Sequence, residues 1–400
     1  FWLEHKKLWR KKIVKICVLL CFVYCVIFGS ILSFQWFCFG SSDDYTSAFG
    51  NNFDGYTVIK DSQEYALSFG GELTDETLQQ IVSDYQQMEA DGMGEELEKT
   101  DWQIVNSWLG TLYPELRDTS NYKTMISYVD PDKLTGFYER RQQVLDEFLE
   151  VSGQVGAEKE FLHQIERKVE KPFRYEWVEG WSTLLGSMVA DLGVVMALFL
   201  GIVLSSLFAG EWHDNTSTLV LTTRNGWGKI ALAKILTGLA FTVELFALLA
   251  VSSVISQLFF MGTAGWNMPI QNIKLIAVAP MNMLQAEIYE YAFVLLGAIG
   301  FAGIVMFISA AVKNNVLTLL LSLAVVYGPM MIAEYLPYEM QKALDLIPLV
   351  GSSTDIFRTN TFRIFGKLIW SPYLLITIPV LIGILCMPFA IKSWSRRMKA

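Results

Sequence analysis

The sequence predicts an α-helical polytopic membrane protein with six transmembrane helices and a mainly α-helical extracellular domain between helices 1 and 2. Hydrophobic residues make up 52% of the 400 residues and charged residues only 18%, whereas soluble domains carry about 25% charged residues. The charge is also segregated, because residues 40–183 hold 12 basic and 29 acidic residues and the remainder holds 19 basic and 11 acidic residues. An acidic block therefore interrupts an apolar, mildly basic chain, which argues against a nucleic-acid partner.

Six apolar stretches are long enough to cross a bilayer, since a hydrocarbon core of ~30 Å requires about 20 helical residues. A spanning segment of this kind must be helical, because its backbone polar groups find no water in the bilayer. The stretches are residues 16–42, 184–209, 230–260, 291–312, 314–333 and 368–391. The first could be a secretory signal, but its apolar run exceeds the ~7–15 residues of a signal peptide, which favours a retained anchor.

Basic residues predict the orientation. They cluster before the first stretch, between the second and third, between the fourth and fifth, and after the sixth. The positive-inside rule then predicts a multi-pass protein of the plasma membrane with both termini in the cytoplasm and the acidic block outside the cell. We divide the chain into a cytoplasmic amphipathic lead-in with the first helix (1–39), an extracellular domain (40–183) and five further helices (184–400). An extracellular domain of this kind suits a Gram-positive bacterium.

The extracellular domain shows helical periodicity. One helix is predicted over residues 78–88 behind an N-cap at Thr74, and a third around residues 161–169. Between them, Asp130 as cap and Pro131 at the first position predict a second helix. A short strand is predicted at residues 56–59. The domain contains no Cys, so disulfides do not stabilise it.

Common catalytic motifs are missing from the sequence. There is no G-x-x-x-x-G-K-[ST] loop, no H-E-x-x-H and no G-x-S-x-G. The chain is therefore predicted to be non-enzymatic, with no cofactor or metal of its own. Cys17, Cys21 and Cys25 share one helix face, which favours helix packing over a metal or redox role.

Two carboxylates lie inside predicted spans, where each costs about 2.5–3.5 kcal/mol on insertion scales. Asp191 and Glu244 could line a translocation path or proton relay, or could bond a neighbouring helix. Glu287, Glu290 and Glu334 lie near predicted helix ends and are expected to reach interfacial water.

The loop between the second and third helices, residues 210–229, carries the most informative pattern. An acidic residue leaves the membrane, a short polar-apolar segment follows, and a basic end re-enters. This pattern predicts a small helix along the inner face that contacts a soluble partner, or an ordinary amphipathic connector. The residues concerned are Glu211, Trp212, Thr216, Leu219, Leu221, Thr222, Arg224 and Lys234.

This pattern resembles the ABC-2 family of bacterial ABC transporter permeases, whose loop has an acidic residue, Thr, a Leu-rich turn, a Thr/Ser/Pro step, Arg and a following Lys. The chain departs from the family at Asn215, where Gly is frequent, and at Thr223, where Pro is frequent. The basic lead-in at residues 4–12 looks like the family's amphipathic helix. The outer loop 336–367 looks like its re-entrant hairpin.

The resemblance implies the permease subunit of an ATP-driven exporter that moves a peptide, antibiotic or lipid outward. It implies a second permease, identical or not, and separate ATPase subunits that hold ATP and Mg²⁺ and push on residues 211–224. Two alternatives stay open. One is an ion-coupled secondary transporter that uses Asp191 and Glu244, and the other is a membrane-anchored sensor whose extracellular domain binds a ligand.

Overall fold

The computed structural model describes residues 1–27, 63–64, 66, 70–93, 102–118, 123–213, 228–350 and 359–396. The helices are α1 (Trp2–Arg10), α2 (Lys12–Val26), α3 (Asp75–Met88), α4 (Trp102–Leu112), α5 (Phe137–Val151), α6 (Ala157–Glu166), α7 (Glu179–Thr183), α8 (Val189–His213), α9 (Lys229–Met261), α10 (Met283–Ala311), α11 (Asn315–Ile332), α12 (Tyr338–Leu344) and α13 (Ser371–Arg396). The strands are β1 (Gly71–Glu72), β2 (Arg174–Tyr175), β3 (Thr361–Ile364) and β4 (Lys367–Trp370), paired antiparallel as β1–β2 and β3–β4.

Five helical segments within these ranges are long and apolar enough to cross a membrane. They are Leu192–Trp212, Lys229–Met261, Met283–Ala311, Asn315–Tyr335 and Ser371–Ser395. They overlap the second to sixth predicted spans, so the predicted class of α-helical membrane protein is confirmed. Only the first part of the remaining span, within α2, falls among the described residues, and the count of six stays a prediction.

Helices α10 and α8 form the centre of the bundle, and α10 packs most extensively against α13. Glycines permit this close approach. A Cβ atom added at Gly303 would lie 2.5 Å from the Gly383 carbonyl oxygen, and one added at Gly300 would clash with the carbonyl oxygen of Pro379. Small residues at a helix interface allow backbones to pack directly, which is the usual way membrane helices associate without a hydrophobic driving force.

The predicted extracellular segment contains helices α3 to α7. Helices α3, α4 and the start of α5 pack around a core that includes Trp108, Tyr113, Phe137 and Phe173, and Leu162 of α6 and Trp181 of α7 belong to a second cluster. Two of its three predicted helices are confirmed as α3 and α6, and Thr74 caps α3 by accepting from the Thr77 amide at 3.3 Å.

The predicted start of the second helix is wrong. Asp130 and Pro131 begin only a 3₁₀ turn (Pro131–Lys133), and α5 begins at Phe137. Gly136 precedes it with φ 71°, a left-handed conformation that breaks the helix and suits glycine. The strand predicted at residues 56–59 lies outside the described residues.

This segment rests on the loop between α9 and α10, an attachment that the sequence did not predict. The Trp108 indole donates to Asn272 O at 2.9 Å, and the Trp177 indole donates to Met261 O at 3.0 Å. Arg141 donates from Nε to Leu275 O at 2.7 Å. We call this end of the bundle the domain end.

Residues 336–367, predicted as a re-entrant loop, include α12 and β3 among the described residues. The β3–β4 turn has Phe365 and Gly366 at positive φ. The hairpin contacts the α5–α6 region, since Arg363 Nη2 lies 2.6 Å from Glu158 Oε1 and Thr361 Oγ1 donates to Gln154 Oε1 at 2.7 Å. Helix α13 begins only at Ser371, so the hairpin replaces the first residues of the sixth predicted span.

Candidate functional site

The amphipathic lead-in forms α1, which lies against α9 at the bundle end opposite the domain end. His5 and Leu8 are buried, and Glu4 and Lys7 are spaced i, i+3 so that they share a face. The chain turns at Lys11, which has extended backbone, before α2 begins. This turn lets α1 lie apart from α2 and present its charges to α8 and α9.

Four charged side chains meet there, and we call them the charged junction: Glu4, Lys7, Glu211 and Lys234. Lys234 Nζ lies 2.8 Å from Glu4 Oε2 and 2.8 Å from Glu211 Oε1. Lys7 Nζ lies 2.6 Å from the same Glu211 oxygen. The side chains of Lys234 and Glu211 are 2% and 4% exposed, whereas that of Lys7 is 50% exposed. Burial makes such ions stable only while paired. Lys234 and Glu211 neutralise each other, and α1 adds one opposite charge to each of them, Glu4 to Lys234 and Lys7 to Glu211.

A second set of contacts holds the other face of α1. Glu244 Oε1 lies 3.1 Å from His5 Nε2, and Glu244 Oε2 accepts from the Trp9 indole at 3.0 Å. Lys11 Nζ donates to Ser206 Oγ at 2.9 Å. Helix α1 is thus bound to α8 through Ser206 and Glu211, and to α9 through Lys234 and Glu244.

Trp212 extends the contacts to the remaining helices at this end. Lys313, between α10 and α11, places its ammonium 4.3 Å from the centre of the Trp212 ring. Trp394 of α13 packs against the same ring at a centroid distance of 6.0 Å. Lys7, Lys234 and Lys313, which belong to three of the four basic groups used for the positive-inside rule, therefore lie at one end of the bundle. We call it the junction end.

The structure brings some of the predicted site residues together and leaves others outside its described part. Glu211 and Trp212 lie in the junction region at the end of α8. Thr216, Leu219, Leu221, Thr222 and Arg224 lie outside the described residues, between His213 and Gly228. Asp191 is in α8, where nothing is described of its side chain, and its proposed place in a path stays a prediction. Glu244 contacts α1 and is 43% exposed at its side chain.

Sequence reasoning did not single out Glu4, Lys7, His5 or Trp9. One signal was present, because Glu4 and Lys7 are spaced to share a helix face. Their partners lie more than 200 residues further along the chain, and no local pattern encodes that distance.

The fold and the junction define a helical membrane protein whose N-terminal helix is bound by ion pairs to two membrane-spanning helices. No family model, curated protein or solved structure matches the chain. The likeness to ABC-2 permeases consequently rests on the residue pattern described above.

Proposed function

We propose that the chain is the permease subunit of an ATP-driven ABC exporter, which moves a hydrophobic or amphipathic substrate such as a peptide, antibiotic or lipid outward. The observation that carries the proposal is the charged junction. It binds α1 to Glu211, two residues before the end of α8, and to Lys234, five residues after the start of α9. These two helix ends flank the loop expected to contact an ATPase.

The junction suits a coupling role for a physical reason. Lys234 is shared by Glu4 and Glu211 in a buried position, and removing a partner from such a group is strongly unfavourable. A force applied to α1 or to the 211–224 loop would therefore move α8 and α9 together. Conformational coupling also requires that a ligand contact two states differently, and ATP-driven closure of partner subunits supplies that difference.

The proposed assembly contains this chain, a second permease and separate ATPase subunits that hold ATP and Mg²⁺. The junction end faces the cytoplasm and the domain end faces the exterior of the plasma membrane. This orientation follows from the basic residues that gather at the junction end.

Affinity purification of the full chain from its native cells in mild detergent tests the proposal. We expect a stoichiometric ATPase with a phosphate-binding loop, whose activity the permease stimulates. Glu211→Lys or deletion of residues 215–219 should abolish that stimulation while the chain stays membrane-inserted. Glu334→Lys is the matched control. It makes the same charge change just beyond the C-terminal end of α11, far from the charged junction, and should leave stimulation intact. Transport by the purified chain in liposomes that responds to an ion gradient and needs no ATP would overturn the proposal.

Glu244→Gln provides a second test within the same assembly. The amide retains an oxygen for Trp9 but loses the charge beside His5, so docking of α1 should weaken and transport should fall. Glu334→Gln should transport normally. Wild-type transport by both variants would remove Glu244 from the site.

A further inference from the structure

A row of polar side chains crosses the contact between α9 and α10 toward the domain end. Ser253 Oγ and Tyr291 Oη lie 2.9 Å apart, one on each helix. The helices are antiparallel, so residue i+4 on α9 and residue i−4 on α10 both lie one turn closer to the domain end. Those residues are Gln257 and Glu287, which places an amide and a carboxylate at the same level.

Both side chains are buried, and neither has a charged partner among the described residues. Gln257 is 0% exposed and Glu287 is 4% exposed. The amide oxygen and nitrogen of Gln257 have no hydrogen-bond partner among the described residues. The Glu287 carboxylate has the uncharged Tyr291 hydroxyl as its hydrogen-bonding neighbour, and no basic side chain pairs with it in the described part of the chain.

The sequence predicted that Glu287 and Glu290 reach interfacial water, and this prediction is wrong. Both are buried, at 4% and 0% exposure. Helix α10 begins at Met283 rather than near residue 291, so two further helical turns lie under the α9–α10 loop and the domain that rests on it. A buried carboxylate with which no basic side chain pairs, such as that of Glu287, is costly in its charged form and acquires a proton or a cation.

We propose that Glu287 and Gln257, with the hydroxyl groups of Ser253 and Tyr291, bind a small monovalent metal cation between α9 and α10. The available ligand atoms are all oxygens, which hard cations prefer. Of the proposed ligands only Glu287 carries a charge, which balances one positive charge, whereas Ca²⁺ sites draw on several carboxylate and carbonyl oxygens. No group of three His, Cys, Asp or Glu that could hold a metal occurs in the described part of the chain, so the residues do not suit a transition metal. The proposal is independent of any ATPase partner.

Carbodiimide labelling tests the site directly. Dicyclohexylcarbodiimide is apolar, reaches carboxyl groups inside a bilayer, and modifies them when they are protonated. The purified full chain in lipid nanodiscs is treated at constant ionic strength with choline chloride replaced stepwise by sodium chloride, and modification at Glu287 is measured by peptide mass spectrometry. We expect modification in choline and its progressive loss as sodium rises. The same titration with potassium chloride measures which ion size the site prefers.

Variants of α9 separate a cation site from general stabilisation. Gln257→Leu leaves the labelled carboxylate in place but removes one ligand oxygen, so half-protection should require at least about tenfold more sodium, as ligand-shell losses usually do. Ser256→Ala is the matched control, because Ser256 lies on the α9 surface that faces α2. Sodium should protect Glu287 of this variant at the same concentration as in the wild type.

Three results would overturn the proposal. Modification of Glu287 that does not change as sodium replaces choline would show that Glu287 carries only a proton. Stronger protection by calcium than by sodium would indicate a divalent site. Absence of modification at Glu287 even in choline chloride would show that this carboxylate exchanges no bound ion.

Discussion

Replacing Lys234 by Met should release α1 from the bundle. Met keeps the length and apolar stem of Lys but removes the ammonium group that lies 2.8 Å from both Glu4 and Glu211. Glu4 then loses its partner on α9, while Glu211 keeps its contact with Lys7. Lys7→Met is the matched control, because Lys7 contacts the same Glu211 oxygen but is half exposed.

The expected magnitudes differ because the two lysines differ in burial. Removing one partner from a buried ion pair costs about 3–5 kcal/mol, and we take ~3 kcal/mol because Glu4, the α1 residue that loses Lys234, is 22% exposed at its side chain. An exposed pair contributes about 0–1 kcal/mol. Since every 1.4 kcal/mol is tenfold, the population with α1 undocked should rise on the order of a hundredfold in Lys234→Met and no more than about fivefold in Lys7→Met.

Amide hydrogen exchange of residues 2–10 in nanodiscs measures this population. Exchange follows local opening, and a helix of nine residues is too short to stay protected once it leaves the bundle. Exchange in α9 should change little, since its own hydrogen bonds persist. Equal exchange rates of α1 in the two variants would refute the view that the buried lysine holds α1 in place.

Two further predictions concern other parts of the molecule. Burial raises the pKa of Glu166, but hydrogen bonds from Lys171 and Arg141 outweigh it and leave the pKa below its usual range. This group therefore stabilises the fold above its unfolded pKa of ~4.3 and loses that effect as the pH falls through the lower folded value. The thermal unfolding temperature of the wild type should fall over this acidic range. Glu166→Gln should unfold at a lower temperature at neutral pH, and its unfolding temperature should depend less on pH. Parallel dependence on pH in the two proteins would contradict this prediction. Gly303→Ala should destabilise the bundle by about 1–3 kcal/mol through overpacking against α13. Gly328→Ala is the control, because nothing lies within 4 Å of the added Cβ, and it should not destabilise the bundle. Equal melting temperatures of the two variants would exclude the close-packing explanation.

Hydropathy alone predicted the five described spans, because a bilayer imposes a fixed length and composition on any segment that crosses it. It located helix ends less well. Helix α10 extends two turns before residue 291, through Glu287 and Glu290, which a hydropathy reading leaves outside the span. A polar residue can continue a helix when the tertiary structure covers it, and the sequence does not show that cover.

Inside the acidic segment, local sequence signals predicted one helix start correctly and another wrongly. Thr74 caps α3 as predicted, because a cap depends on residues three positions apart. Asp130 and Pro131 have the same local signature but start only a short turn, since Gly136 ends the helical path before α5 begins.

The sequence by itself determined the class of protein, the spans and the grouping of basic residues, since these depend on solvent and on neighbours within one or two turns. Only the tertiary structure decided which charges meet. Lys234 pairs with Glu4, and Ser253 with Tyr291, across 230 and 38 residues of chain. Burial then fixes what each pair can do, because a charge or amide removed from water must find its partner wherever the packing of distant helices has placed it.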